Sequence, residues 1–204
     1  MKLGRDFYGR DTRLAARELL GKYLVRMQDG VPLVLRLTET EAYIGRTDKA
    51  CHAYSYRRTP RTETLFAAPG TAYIYLIYGM HHCLNLVTEA EGEPAAVLIR
   101  GGQVRAGLPL LARNRFGRDW DDLSPYQRKN FLNGPGKLCR ALALTRGENG
   151  CSLLGDRLYV CDRLEDLGLE TPPDDREPLD IKTGKRIGID YAEEAVDFLW
   201  RYYL

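Results

Sequence analysis

The sequence lacks any long apolar run. No apolar segment among its 204 residues approaches the roughly 20 residues that a membrane-spanning helix needs. The first residues, MKLGRDFYGRD, contain no apolar stretch of the kind found in a secretory signal peptide. We therefore expect a cytoplasmic protein without a membrane partner.

Cysteine and histidine are also scarce. The five cysteines include no CxxC pair, which argues against a zinc ribbon and against a disulfide framework. The three histidines are His52 and His81-His82, near Cys51 and Cys83, but these spacings match no pattern of metal ligands. We expect reduced thiols and no metal site.

Net charge is small, but the charges are unevenly placed. The formal charge is +2, so the chain as a whole is not a basic tail-like binder. Residues 95–118 contain five arginines and no acid, whereas residues 162–180 contain eight acids and two arginines. This separation favours a protein with one face turned toward a polyanion such as nucleic acid, although solvated surfaces give the same pattern.

No internal repeat, low-complexity tract or linker divides the chain, so we expect one domain over residues 1–204. Asp29-Gly30 is a typical hairpin turn, and Asp11 and Pro135 are typical of helix starts. The pattern predicts an α+β fold built mainly on an antiparallel sheet. The predicted strands cover 20–27, 32–43, 71–78, 82–88, 95–100 and 157–161, and the predicted helices cover 12–20, 103–114, 124–131 and a segment from Pro135.

Two segments are harder to assign. Residues 45–70 are polar and hold Arg57, Arg58 and Arg61, which predicts a long surface loop or a loop with a helix. Loops of that length are uncommon unless they are functional or disordered. The C-terminal segment AEEAVDFLWRYYL favours a helix at its start and a strand at its end.

Two carboxylates lie close together in the segment TETEAY. On a strand, Glu39, Glu41 and Tyr43 share one face because side chains alternate. A solvated sheet surface gives the same pattern, but the neighbouring apolar residues VPLVLRL suggest that this face leads toward the core. A partly buried glutamate can act as a general base for water, so the segment offers a candidate catalytic group.

Flat side chains are available around one histidine. His52 lies in the polar segment, and Tyr43, Tyr73, Tyr75 and Tyr78 can accompany it. A protein that binds a flipped-out base needs such faces, and stacking contributes ~1–3 kcal/mol per base. A plain core strand explains YIYLIY equally well, and the 13 tyrosines of the chain weaken an argument from any one of them.

Tyr78 ends one predicted strand and the next begins at residue 82, which places Tyr78-Gly79-Met80-His81 at or near the tip of a hairpin. A tyrosine at such a tip can fill the gap that an extruded base leaves in a duplex and so offset part of the cost of unstacking. An ordinary hairpin explains the same residues.

Taken together, these features resemble the alkyladenine (3-methyladenine) DNA glycosylase family, which includes the human enzyme. One motif would be a weak match, but seven motifs in the family's order, spread over most of the chain, are specific. They are RLTETEAYIG (36–45), Ala50-Cys51-His52, TPR (59–61), PGTAYIYLIYGMHHCLN (69–85), AVLIR (96–100), NGPGKLCRAL (133–142) and RIGIDYA (186–192).

The resemblance implies roles for individual residues. Glu41 resembles the general base that positions the attacking water, and Arg100 resembles the arginine that helps to hold that water and the carboxylate. Tyr43 is expected to stack on one face of the flipped base, with His52 and Tyr75 on the other face.

The resemblance also implies a DNA contact, a fold and a reaction. Tyr78 resembles the intercalating wedge, and Asn85 resembles the pocket asparagine that disfavours normal guanine. The implied fold is a single α+β domain with a curved, mainly antiparallel sheet, surrounding helices and a protruding β-hairpin that enters the minor groove. The implied reaction is hydrolytic removal of alkylated or deaminated purines, such as 3-methyladenine, hypoxanthine or ethenoadenine, from double-stranded DNA. No metal or other cofactor is implied, and we expect a monomer.

The chain departs from the family pattern at two places. His81-His82 stands where other members carry an aromatic pair, and Leu65 stands where a methionine often precedes the phenylalanine. Both changes affect the expected groove contact or substrate range, and neither removes a proposed base or stacking residue.

Three other activities fit parts of the sequence. A glycosylase that is also a lyase would form a Schiff base through a lysine, for which Lys49 and Lys137 are the nearest candidates. A noncatalytic nucleic-acid-binding module could keep the stacking pocket without cleaving a bond. A glycoside hydrolase could use Glu39 and Glu41 as acid and base, but two carboxylates from one short strand do not flank a bond.

Overall fold

Eight strands, all paired antiparallel, form one curled sheet in the computed structural model, which describes residues 1–204. The strands are β1 (Tyr23–Gln28), β2 (Val31–Ile44), β3 (Ala72–Ile77), β4 (His81–Val87), β5 (Ala95–Ala106), β6 (Leu158–Cys161), β7 (Lys182–Gly184) and β8 (Arg201–Tyr203). The sheet order is β3-β4-β5-β2-β1-β6, and β7 and β8 lie off this path. Strand β2 pairs with β5 along one edge, and along the other edge first with β1 and then with β8.

Five short α-helices accompany the sheet, and none has the length and apolar character needed to cross a membrane. They are α1 (Arg5–Tyr8), α2 (Thr12–Glu18), α3 (Leu108–Phe116), α4 (Pro125–Lys129) and α5 (Pro135–Ala141). The side chain of Asp11 accepts hydrogen bonds from the N–H groups of Arg13 and Leu14, which confirms its predicted role as the N-cap of α2. Helix α5 begins at Pro135, as predicted.

One face of the sheet packs against α2, α3 and α5 around a core of 31 buried residues. The opposite face of β3, β4 and β5 is covered by residues 45–70 and by the C-terminal segment, which form smaller apolar clusters. The main core receives alternating residues of each strand: Leu33, Leu35 and Leu37 of β2, Leu84 and Leu86 of β4, and Val97 and Ile99 of β5. The predicted α+β fold on a curved antiparallel sheet is confirmed.

A β-bulge interrupts the pairing of β2 with β5. Leu37 pairs with Gly102, Glu39 pairs with Gly101, and the next residue of β2 pairs with Ile99. Thr38 and Arg100 are therefore unpaired, so each strand contains one extra residue at this point. Bulges of this kind bend a strand and redirect side chains, and they occur frequently beside active sites.

The bulge decides which face the carboxylates of β2 occupy. Continued alternation after Leu37 would carry Glu39 and Glu41 into the main core. The extra residue shifts the alternation by one, so Ala42 enters the main core and Thr40 donates a hydrogen bond to a carbonyl group of α2. The glutamate face leads to the second apolar layer, and not to the main core that the neighbouring leucines suggested.

The helix predicted over 103–114 begins later than expected. Residues 103–106 continue β5, and α3 starts after Gly107. Gly107 has a φ of +80°, in the left-handed region that favours glycine. A Cβ atom at this position would lie 2.5 Å from Cδ2 of Leu33, so glycine is also needed for the close approach of β2.

Residues 45–70 cover the sheet and are more than a surface loop. They contain two 3-10 turns, Tyr54–Tyr56 and Glu63–Phe66, and they bury Cys51 and Leu65 in the second layer. The C-terminal segment has the mixed character that its sequence indicates, since a 3-10 turn at Glu193–Asp197 precedes β8.

The hairpin of β3 and β4 ends in a three-residue tip, Tyr78-Gly79-Met80, as predicted. Tyr78 and Gly79 have φ values of +52° and +68°, so the chain reverses through the left-handed region. The tip exposes 82% of Tyr78 and 70% of Met80. Large apolar side chains this exposed are available to contact another molecule.

Candidate active site

The carboxylate of Glu41 lies fully buried on the second face of the sheet, with a partner on each oxygen. The hydroxyl of Tyr43 donates to Oε2 at 2.7 Å, and the backbone N–H of Ile187 donates to Oε1 at 2.8 Å. The guanidinium Nε of Arg100 lies 3.4 Å from Oε1. The structure therefore brings together Glu41, Tyr43 and Arg100, the residues that the sequence grouped as base, stacking residue and charge partner.

Burial raises the pKa of Glu41, while Arg100, the Tyr43 hydroxyl and the Ile187 N–H oppose the rise and Glu39 adds to it. Burial and the neighbouring Glu41 also raise the pKa of Tyr43 well above its ordinary value, so its hydroxyl stays protonated and donates to the carboxylate. A carboxylate with a raised pKa is a stronger base than a solvated one, which suits proton abstraction from water.

Two further charged side chains, Glu39 and Arg201, are linked to Arg100 by hydrogen bonds. Arg100 donates from Nε to Oε1 of Glu39 at 3.0 Å, and Arg201 of β8 donates from its own Nε to the same oxygen at 2.6 Å. Glu39 was considered from the sequence only as one half of an acid/base pair with Glu41. In the structure two arginines bind its carboxylate, so Glu39 is not placed to act as a second catalytic carboxylate.

A cavity walled by aromatic rings lies next to Tyr43, the hydrogen-bond partner of Glu41. The rings of His52 and Tyr75 are 4.5 Å apart and meet edge to face, and the rings of Tyr73 and Tyr75 are 5.3 Å apart. The cavity is thus walled by flat side chains, with few polar atoms among them. Its lining consists of Tyr43, Cys51, His52, Leu65, Tyr73, Tyr75, Asn85 and Ala96.

The polar side chains of the cavity are fixed by neighbouring groups. His52 Nδ1 lies 3.1 Å from the hydroxyl of Tyr73. Burial and the nearby Arg61 lower the pKa of His52 to about 4, so its imidazole is neutral at pH 7. The side-chain amide of Asn85 is buried and donates to the backbone carbonyl groups of Tyr73 and Cys83 at 3.3 and 3.4 Å.

A buried ion pair that the residue patterns did not predict supports the outer side of Tyr43. Arg186 binds Asp48 through both terminal nitrogens, at 2.5 and 2.8 Å, and both side chains are fully buried. Its guanidinium carbon lies 4.7 Å from the centre of the Tyr43 ring. Arg186 also donates to the carbonyl group of Ala42, so it joins the C-terminal segment to β2. The only signal for it in the sequence was its place in the motif RIGIDYA.

Three exposed arginines flank the aromatic cavity. One cleft lies beside His52 and is lined by Arg57 and Arg61. A second cleft lies beside Tyr75 and is lined by Arg61 and Arg146. The exposed basic groups beside the cavity thus come from the 45–70 segment and from a turn after α5.

The arginine-rich region 95–118 does not form a free basic face. Arg100 binds Glu39, and Arg105 binds Asp175 of the acidic region. Arg115 donates to backbone carbonyl groups. The positive and negative blocks of the sequence are therefore joined to each other through Arg105 and Asp175.

The two lysines considered for a lyase reaction lie outside the lining of the aromatic cavity. Lys49 is held by Glu193 and Glu194 at 2.6 and 2.9 Å. Lys137 donates to the side-chain oxygen of Asn133 at 2.8 Å. The structure also contains no group of three or more His, Cys, Asp or Glu side chains arranged to hold a metal ion.

Comparisons with known proteins agree with this arrangement. The sequence profile of the methylpurine-DNA glycosylase family matches residues 6–204. A protein of Clostridium perfringens named as a 3-methyladenine DNA glycosylase is 51% identical over 204 residues, covering 100% of this chain and 96% of the relative. Proteins of the same name from Desulfitobacterium hafniense and Clostridium botulinum are 48% and 47% identical, covering 100% of this chain and 95% and 96% of the relatives.

The chain belongs to the methylpurine-DNA glycosylase family. It is therefore a DNA glycosylase, a hydrolytic enzyme of DNA repair, and DNA is its binding partner. The resemblance drawn from the seven sequence motifs is confirmed.

The Arg186–Asp48 pair provides a stability test. Arg186→Met leaves a buried carboxylate without compensation, so we expect it to lower the free energy of unfolding by about 3–5 kcal/mol. Asp48→Asn should cost a comparable amount, and the double variant should cost less than the sum of the two. Urea unfolding measures these values. If the double variant loses as much stability as the two single variants together, the two side chains are not coupled.

His52 makes a pH-dependent contribution to stability. Its pKa of about 4 in the folded protein lies below the ordinary value of 6.5, so the unfolded chain binds the proton more tightly. The contribution is complete above pH 6.5 and is lost as the pH falls toward 4. Between pH 7 and pH 5 we expect His52 to cost about 2 kcal/mol of stability. In His52→Gln, urea unfolding should show a correspondingly smaller loss, and an unchanged pH dependence would contradict the neutral buried state.

Proposed function

We propose that the protein flips damaged purines out of double-stranded DNA into the aromatic cavity and hydrolyses the N-glycosidic bond with a water activated by Glu41. The observation that carries this proposal is a fully buried carboxylate with a raised pKa, bonded through Tyr43 to a cavity walled by aromatic rings. A base must leave the helix before an enzyme can act on its glycosidic bond, and flat aromatic walls are the side chains on which an extruded base stacks.

The walls of the cavity favour purines that carry positive charge. Alkylation at a ring nitrogen, as in 3-methyladenine, makes the base cationic and a good leaving group. The faces of Tyr43 and Tyr75 attract a cation through their π electrons. Since His52 is neutral at pH 7, it adds no opposing charge to the pocket. Neutral lesions such as hypoxanthine and ethenoadenine fit the same walls without this attraction.

The roles of Glu41 and Arg100 follow from their contacts. As the bond to the purine lengthens, positive charge develops on the sugar, and a carboxylate beside it can stabilise that charge while it takes a proton from the attacking water. Arg100 lies near one oxygen of Glu41 and donates its hydrogen bond to Glu39. It therefore orients the Glu41 carboxylate and leaves that carboxylate able to accept a proton.

Asn85 gives the cavity a means to discriminate between bases. Its amide nitrogen is already bonded to two backbone carbonyl groups, so the side chain is held in one orientation. We infer that a purine with an exocyclic amino group on its minor-groove edge, as in guanine, meets this amide unfavourably.

The hairpin tip and the arginines supply the contacts to the duplex. Tyr78 is exposed at the tip, where it can enter the helix and occupy the place of the extruded base. Arg57, Arg61 and Arg146 line the clefts on either side of the cavity, where they can bind backbone phosphates. These contacts need only one copy of the chain, so we propose that a monomer acts, in the compartment that holds the chromosome.

The base-release activity can be tested with Glu41→Gln. Duplexes that contain 3-methyladenine or a single hypoxanthine are incubated with the protein, and alkali-labile sites are measured. The wild-type protein should release the base, and Glu41→Gln should be slower by on the order of 100-fold or more, because amide replaces the general base. Glu18→Gln, which removes an exposed carboxylate of α2, should match the wild type.

Two outcomes of that assay would contradict the proposal. Equal rates for wild type and Glu41→Gln would exclude Glu41 as the base, and the absence of release from every lesion would favour a noncatalytic binding module. Borohydride added during the reaction traps a Schiff base, so a covalent protein–DNA adduct would favour a lyase. A hydrolytic glycosylase forms no such adduct.

The wedge role of Tyr78 predicts a dependence on base stacking. We expect Tyr78→Ala to slow base release from a fully paired duplex by about tenfold, since unstacking costs a few kcal/mol and the wedge offsets part of it. The loss should be much smaller when the lesion lies in a single strand. Tyr126→Ala, which removes another exposed tyrosine, should leave both rates unchanged. An equal loss on paired and single-stranded substrates would exclude the wedge.

A further inference from the structure

We propose that Glu39 and Arg201 are positioning residues for the reaction: together they hold Arg100 and set the charge that Glu41 experiences. This inference rests on the proposed role of Glu41 as the general base. Its basis is the geometry of four charged side chains, Glu39, Glu41, Arg100 and Arg201, on one face of the sheet, where three strands meet at the β-bulge.

The hydrogen bond of Arg100 goes to Glu39, and Glu41 receives only its charge. Arg100 Nε carries one proton, and it donates to Glu39 Oε1 at 3.0 Å. The same nitrogen lies 3.4 Å from Glu41 Oε1. Glu39 thus competes with Glu41 for the Nε proton of Arg100, and Glu41 keeps an ion pair with Arg100 without a hydrogen bond from it.

Arg201 weakens that competition, because it shares the carboxylate of Glu39 with Arg100. It lies on β8, opposite Glu41 in the strand pair, and its Nε donates to the same oxygen of Glu39 at 2.6 Å. A carboxylate that accepts hydrogen bonds from two guanidinium groups is held in one orientation. Without Arg201, Glu39 would depend on Arg100 alone and would draw it further from Glu41.

The bulge explains why these residues meet. The bulge moves the glutamates of β2 to the second face, and Arg100 lies on that face because it alternates with Val97 and Ile99 of the main core. Strand β2 changes neighbour from β1 to β8 at the same place, which brings in Arg201. Three strands thus contribute one charge each around Glu41.

None of the other groups around Glu41 can replace the adjustable positive charge of Arg100. Tyr43 is a neutral hydrogen-bond donor, Cys83 of β4 is a thiol whose pKa is raised by burial to about 11, and Ile187 contributes a backbone N–H. Arg186 is the remaining cation near Glu41, and its charge is matched by Asp48. Arg100 is therefore the cation whose distance from Glu41 can change.

Substitution of Glu39 and of Arg201 should move the titration of Glu41 in opposite directions. In Glu39→Gln, a nearby negative charge disappears and Arg100 is free to approach Glu41, so the pKa of Glu41 falls. In Arg201→Gln, a positive charge disappears and Arg100 is drawn to Glu39, so the pKa of Glu41 rises. A purely structural role for these residues would change stability without this pair of opposite shifts.

Both variants should fold, because the two side chains keep contact with water. The side chain of Glu39 is 18% exposed and that of Arg201 is 26% exposed, so either can be hydrated when its partner is removed. Glutamine also keeps the shape of glutamate. A ¹H–¹⁵N spectrum of each variant verifies the fold before titration.

The test is a ¹³C NMR titration of side-chain carboxyl groups in the free protein, with the Glu41 signal assigned by its absence in Glu41→Gln. We expect the Glu41 midpoint to lie below the wild-type value in Glu39→Gln and above it in Arg201→Gln. Midpoints equal to the wild type in both variants, or shifted in the same direction, would overturn the inference.

Glu148→Gln is the matched control. Glu148 is a similarly buried carboxylate bound to an arginine, Arg26 of β1. Arg26 pairs with Leu33, eight residues before Glu41 on β2, or roughly 25 Å away at the usual rise of a strand. The Glu41 midpoint should be unchanged in this variant.

The consequence for the reaction is measured separately. The acid limb of the single-turnover rate should move to lower pH in Glu39→Gln and to higher pH in Arg201→Gln, because the base acts when ionised. At the plateau, Glu39→Gln should be slower by on the order of tenfold to a hundredfold, since Arg100 then occupies the carboxylate. If the NMR midpoints shift as expected and the wild type releases no base, the positioning holds and the proposed function fails.

Discussion

The β-bulge formed by Thr38 and Arg100 is the constraint on which the rest of the site depends. A regular ladder would continue the alternation of the leucines of β2 and would carry Glu41 into the main apolar core. An isolated carboxylate there would have neither partner nor access to a substrate. The extra residue on β2 transfers Glu41 and Tyr43 to the second face, where alternation along β5 places Arg100.

On the second face, the Glu41 carboxylate is buried and hydrogen-bonded and still able to act as a base. Burial alone would favour the neutral acid, and full pairing with an arginine would favour the ion so strongly that basicity is lost. Glu41 lies between these limits, because Arg100 is near it but bonded to Glu39. The Arg186–Asp48 pair holds Tyr43 and the backbone around it, so the stacking wall and the base share one rigid support.

The elements of the fold were largely predictable from local patterns. The N-cap at Asp11, the turn at Asp29-Gly30 and the hairpin tip at Tyr78-Gly79 each follow from the conformational preferences of one or two residues. The end of β5 was not predictable in this way, because residues 103–106 suit a helix as well as a strand. Only the contact of Gly107 with Leu33, far away in the chain, decides where the turn falls.

The site was predictable in its parts and not in its arrangement. Alternation correctly placed Glu39, Glu41 and Tyr43 on one face, but the bulge that selects that face depends on pairing between distant strands. Arg186, Asp48 and Arg201 gave no local signal, because an arginine in a loop or at the end of a chain is usually solvated. The charge blocks misled for the same reason: the partner of Arg105 is an aspartate 70 residues away. The roles of the site residues themselves came from the family resemblance and remain proposals.

The most direct measurement of the central claim is a crystal structure of the protein bound to a duplex that contains an uncleavable analogue of a damaged purine nucleotide. The account predicts the purine between Tyr43 and the rings of His52 and Tyr75, Tyr78 in the vacated stack, and a water within about 2.6–3.2 Å of a Glu41 oxygen and facing the sugar. A purine bound elsewhere, or a Glu41 carboxylate with no path to the sugar, would contradict it.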